Sequence, residues 1–172
     1  MPKPVLSTYR IIRDKGLNRD INESWVTWAQ EMIKAGFESI NLYELAGITR
    51  PYNQFELIEL TDVVLKELQL DFSDPYVVVR DYVYFIIKSG INNTDNYLSV
   101  LREIRDIHYY ELGVEYADFY SLYYAKYDLM YSENQWYWPG ATRQNIDSII
   151  RERFQTFITE CNLKSEKYGR FS

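Results

Sequence analysis

His108 is the only histidine in the 172 residues, so it is the one side chain whose ordinary pKa suits proton transfer near neutral pH. With a carboxylate beside it and tyrosine phenols around it, it would supply acid–base catalysis on a small ligand. Helical spacing puts His108 in an apolar arc between Leu101 and Leu112. The competing interpretation of that placement is a buried imidazole bonded to a tyrosine or a carbonyl. Catalysis therefore requires a partner group that the sequence alone does not set next to it.

Carboxylates offer a different chemistry. Glu56, Glu59 and Asp62 recur every three residues along one ridge, with Lys66 four residues further on. Three like charges in a row cost an isolated helix a few tenths of a kcal/mol each. The ridge is either a plain solvated face or an acidic patch for a basic partner. Asp118 and Asp128 share the polar side of a later aromatic helix. Trp136 and Trp138 lie in the loop after it, where rings have fewer intrahelical reasons to be and serve as contacts. These seven residues are the candidate partner-binding set.

Metal and cofactor chemistry is not expected. One His and one Cys cannot build the usual zinc clusters, and Arg105 stands where a di-iron bundle would need the Glu of Glu-x-x-His. No calcium loop is present, nor G-x-G-x-x-G, G-x-x-x-x-G-K-[ST] or G-x-S-x-G. The lone Cys161 cannot form an internal disulfide, which predicts a reducing compartment and a cytoplasmic protein. The opening MPKPVLSTYRIIRDK lacks the pattern of a signal peptide. No apolar run reaches the roughly 20 residues of a membrane helix, so no membrane partner is expected.

The net charge of −6 is unevenly spread. Residues 37–75 carry two basic against eight acidic side chains, and residues 101–141 carry three against seven. Both blocks repel phosphate backbones and attract basic surfaces, so no nucleic acid is expected. Gly36, Leu42 and Leu45 imitate helix-turn-helix spacing. The helix in the recognition position offers only Asn41, Tyr43 and Glu44, a poor set for phosphates and base edges.

The elements that must carry these residues read as helices. Asn22 or Ser24 starts a helix that Gly36 stops, with Trp25, Trp28, Ala29, Met32 and Ile33 inward. Asn41 and Glu44 have capping-box spacing before the stop at Gly47. Asn53 and Glu56 open a longer helix with Leu57, Ile58, Leu60, Val64, Leu65 and Leu68 as its buried arc. PYVVVRDYVYFII is rich in β-formers, but Ser73-Asp74-Pro75 starts it and Lys88-Ser89-Gly90 ends it as a helix. The next helix turns Leu98, Leu101, Ile104 and Leu112 inward. The last long one carries Ile146, Ile149, Ile150, Phe154 and Phe157 as a stripe.

Between them, residues 109–140 hold nine of the seventeen tyrosines. Tyr116, Phe119, Tyr120, Tyr123, Tyr127, Met130 and Tyr131 share a sector that Leu122 and Leu129 extend, leaving Asp118, Ser121, Ala125, Asp128 and Ser132 opposite. The expectation is that these rings fill the core with their hydroxyls at its rim.

The stretch from Trp25 to Leu68, with WAQEMIKAGFESINLYELAGI and NQFELIELTDVVLKEL, resembles segments of small bacterial helical proteins, some of which are immunity partners of secreted toxins. The resemblance implies an interaction protein and transfers no functional residue.

The sequence thus predicts an all-α domain over residues 1–163, with about seven or eight helices as an irregular bundle or stacked antiparallel pairs. A mobile polar tail is expected over 164–172. The leading functional expectation is a module that binds a protein with a basic surface, as an immunity-type inhibitor would. The alternative is an enzyme with a tyrosine-lined pocket around His108. A third is a homo-oligomer whose aromatic strip packs against itself.

Overall fold

The computed structural model describes residues 2–110 and 113–168. Among the described residues it is all-α, with eight helices and no strand. In chain order they are α1 (Thr8–Gly16), α2 (Glu23–Lys34), α3 (Ile40–Ala46), α4 (Gln54–Glu67), α5 (Pro75–Gly90), α6 (Tyr97–Tyr110), α7 (Ala117–Tyr131) and α8 (Ile146–Tyr168). Short 3₁₀ turns precede α6 and α7. The chain divides into two compact units, Met1–Tyr82 and Val83–Ser172, with the boundary inside α5. Helical backbone runs to Tyr168, into the segment expected to be a tail. Leu112 and residues 169–172 lie outside the described residues.

In the first unit, the Asn22 side chain accepts from the Ser24 amide to start α2. Gly36, at φ +95°, closes the helix, as its amide donates to the Ile33 carbonyl and that of Phe37 to Met32. A residue with a Cβ would be strained at that left-handed position. Trp25, Trp28, Ala29 and Met32 are fully buried, joined by Ile11, Leu42, Leu45, Val64 and Leu65. The Trp28 indole N–H donates to Thr8 Oγ1 at 2.9 Å, and its ring meets Trp25 edge-on at 6.0 Å between centroids. Gln54 clasps the α1–α2 connection, accepting from the Ile21 amide and donating to its carbonyl.

Two local expectations change. The cap of α3 is Ser39, whose hydroxyl accepts from the Leu42 amide, and not Asn41. Asn41 lies inside the helix and donates to Glu67 Oε1 at the end of α4. On α4, Ile58 is half exposed and Thr61 takes its place in the core. Lys15 decides this: its Nζ donates to Thr61 Oγ1 at 2.9 Å and to the Ile58 carbonyl at 3.1 Å, while the Thr61 hydroxyl donates to the Leu57 carbonyl. A buried threonine thus has its polar group satisfied, which makes its burial tolerable.

The β-rich run forms α5. Asp74 accepts from the amides of Tyr76 and Val77, so the chain enters the helix capped. In the second unit, a Cβ at Gly90 would stand 2.6 Å from Val100 Cγ2, so the bare glycine allows the first turn of α6 to approach. The core of this unit is aromatic. Phe154 packs against Tyr97 and Phe119, and Phe157 against Phe119 and Tyr116, at centroid distances of 5.4–6.3 Å. The α8 stripe is as the spacing predicts, with Ile146, Ile150, Phe154 and Phe157 buried and Ile149 half buried. On α6, Tyr97 and Val100 are buried where Leu98 is only half buried. The Tyr97 hydroxyl keeps its partners by donating to the Ile91 carbonyl and accepting from Arg151 Nε.

Candidate functional site

The aromatic helix α7 turns a different face inward from the one its spacing predicts. Phe119, Leu122, Tyr123, Ala125 and Leu129 are buried. Tyr127, Met130 and Tyr131, expected in the core, are 40%, 53% and 73% exposed, and Ala125, expected outside, is fully buried. The physical reason is composition. Apolar residues surround most of this helix, so periodicity does not single out one side, and the side that carries the small Ala125 between Leu122 and Leu129 is the one buried. Lys126 at the edge of that seam is held by Asp147 of α8, with 2.5 Å between nitrogen and oxygen.

The displaced tyrosines form a connected row of rings. His108 on α6 contacts Tyr120 at 5.2 Å between centroids, and Tyr120 contacts Tyr124 at 4.9 Å. From Tyr124 the row branches. One arm reaches Tyr137 at 5.1 Å with the ring planes 28° apart. The other passes through Tyr123 and Tyr127 to Tyr131, in steps of 5.0, 6.0 and 5.3 Å. Such offset and edge contacts suit the ring quadrupoles. The row grades from the buried Tyr123 to the open Tyr131.

On α6, Arg105 lies three residues before His108 and caps this row. Its guanidinium carbon stands 4.4 Å above the Tyr123 ring centre. Its Nε and a terminal nitrogen both donate to Asp106 Oδ1, at 2.9 and 2.6 Å. Burial is the largest influence on its pKa and lowers it. The hydrogen bond and attraction of Asp106, helped by Tyr123 and Tyr124, outweigh burial and raise the pKa above the ordinary arginine value. The cation over the ring is permanent.

The loop after α7 is held mainly by one side chain. Gln135 Oε1 accepts from the amides of Tyr137 and Trp138, and its Nε2 donates to the carbonyls of Trp138 and Ala141. Arg143 Nε donates to the Leu129 carbonyl at the end of α7, and Arg143 also pairs with Glu133 at 2.5 Å. Asn145 accepts from the Thr142 amide and donates to the carbonyl of Gly140, which sits at φ +80°. Within this frame Trp138 is half buried, whereas Trp136 is 90% exposed.

The acidic candidates separate on inspection. Glu56 and Glu59 are exposed on α4, beside a Phe55 that is 86% exposed. Asp62 is engaged by Lys15 at 2.6 Å, and Asp118 by Arg153 Nε at 3.1 Å. Each of those carboxylates already has a partner within the chain. Asp128 is half buried, one turn from Tyr124 and from Tyr131.

His108 is half buried against Tyr120. A mainly apolar hollow of about 360 Å³ lies in the first unit beyond α4, lined by Lys66, Gln69, Leu70, Asp71, Phe72 and Ser73 and by no histidine. Among the described residues no group of three or more His, Cys, Asp or Glu is placed to hold a metal, and no helix is long and apolar enough to cross a membrane.

Sequence reasoning missed Tyr127, Tyr131 and Tyr137 as surface groups and Gln135 as the loop's clamp. Only the all-round apolar character of α7 hinted at the first; nothing in the sequence marked Gln135. Comparison with protein-family models, with curated proteins and with solved structures found no match.

Proposed function

We propose that this chain is a protein-binding module whose second unit presents an aromatic surface to a basic protein, in the manner of an immunity-type inhibitor. The observation that carries the proposal is the row of connected rings ending in Tyr127, Tyr131 and Tyr137, with Trp136 90% exposed on the adjoining clamped loop. Large aromatic groups held in solvent are what binding hot spots are made of. Residues 101–141 carry three basic and seven acidic side chains, which favours a basic partner and speeds its approach.

The test is capture from the native cell with the immobilised chain, identification of the captured protein, and measurement of its binding in purified form. The expected partner is basic, associates more slowly as salt rises, and loses about tenfold or more in affinity with Trp136→Ala. Binding indifferent to both Trp136→Ala and Tyr131→Ala would reject the proposal.

A further inference from the structure

Cations over aromatic rings recur in this protein, and arginines approach closest; Lys88 and Lys15 stand 5.4 and 5.8 Å from the Tyr84 and Phe72 ring centres. Arg13 stands 4.0 Å from the Tyr82 ring centre, Arg105 4.4 Å from Tyr123 and Arg153 4.7 Å from Phe119. The Arg105–Tyr123 pair belongs to the same row of rings that continues into solvent as Tyr127 and Tyr131. Among the described residues no arginine or lysine of the chain lies over Tyr127, Tyr131 or Trp136. The nearby cations are occupied: Lys126 by Asp147, and Arg143 by Glu133 and the Leu129 carbonyl.

We infer that this open end receives arginine side chains from the partner protein, which therefore carries an exposed arginine-bearing segment. The inference rests on the docking function proposed above and names what is docked. A guanidinium is planar and weakly hydrated, so it stacks on a ring while its edges still donate to carboxylates; an ammonium does this less well. Asp128, half buried on α7 and three residues before Tyr131 in the chain, supplies such a carboxylate.

Geometry selects the rings. Inserting a planar group between two parallel rings needs roughly 7 Å, twice the contact distance of ~3.5 Å. The Tyr123 and Tyr127 rings are 6.0 Å apart, 19° from parallel. The guanidinium groups must therefore lie on outward faces, of which Trp136 and Tyr131 present the most.

The experiment uses two synthetic glycine–serine peptides of equal length and charge, one carrying arginines and the other lysines. Binding to the whole chain is followed by tryptophan fluorescence and calorimetry at low salt. The arginine peptide is expected to bind about fivefold more tightly than its lysine counterpart. Trp136→Ala and Tyr131→Ala, both at exposed positions, should reduce that preference while leaving the helical circular dichroism unchanged. Equal affinity for the two peptides, or a preference untouched by both substitutions, overturns the inference.

The captured natural partner separates the two proposals. If neither peptide binds but the partner still loses affinity with Trp136→Ala, arginine recognition is wrong and docking stands. If the partner is indifferent as well, both fall.

Discussion

The first unit buries its tryptophans and the second displays one. Trp25 and Trp28 have no exposed surface, whereas Trp136 is 90% exposed. Residue type does not separate these cases. Trp28 sits on a helix flanked by α1 and α3, and Thr8 accepts its indole proton. The backbone around Trp136 is tied to Gln135, so the loop closes on itself and leaves the ring outside. A large ring is buried where neighbouring elements close around it, whether an acceptor meets its indole N–H, as for Trp28, or none does, as for Trp25. Where the local chain satisfies its own amides instead, the ring remains available.

Substitutions can break or sharpen this contrast. The largest effect is expected for Trp28→Ala, which should lower unfolding free energy by about 3–5 kcal/mol in denaturant titrations. A loss below ~1 kcal/mol would mean that the first unit is not organised around that ring. Within α7 the contrast recurs at smaller scale. Tyr123→Ala should cost about 3 kcal/mol, and Tyr131→Ala less than ~0.5 kcal/mol, by the same titration. Similar costs for both would restore the face that the tyrosine spacing predicts.

The two buried indoles can also be set against each other. Trp25 Nε1 has no hydrogen-bond partner among the described residues, whereas that of Trp28 bonds Thr8. Trp28→Phe should therefore be worse than Trp25→Phe by about 1 kcal/mol, since only the first discards a hydrogen bond. The smallest stability change, under ~0.5 kcal/mol, is expected for Trp136→Ala.

Helix existence was legible wherever capping chemistry was local. Asn22, Asn53 and Asp74 each bond an amide two residues on, and this punctuation outweighed the β-preferences of Val77, Val78 and Val79 in α5. Helix faces were legible where apolar residues occupied a narrow arc, as in α2 and α8. They were not legible on α7, where apolar and aromatic residues surround most of the helix and periodicity favours no single side.

The exchange of Ile58 for Thr61 was hidden for another reason. It depends on Lys15, more than forty residues away in the chain. Of the candidate site, Trp136 was visible as an indole in a loop, while the engagement of Asp62 and Asp118 by Lys15 and Arg153 is tertiary and left no mark in local spacing.

Gln135 has a thermodynamic consequence. Its four hydrogen bonds fix the backbone from which Trp136 projects, so a ligand meeting that indole need not first organise a wandering segment. The conformational entropy of the loop has been surrendered on folding, and it is not charged again at each encounter.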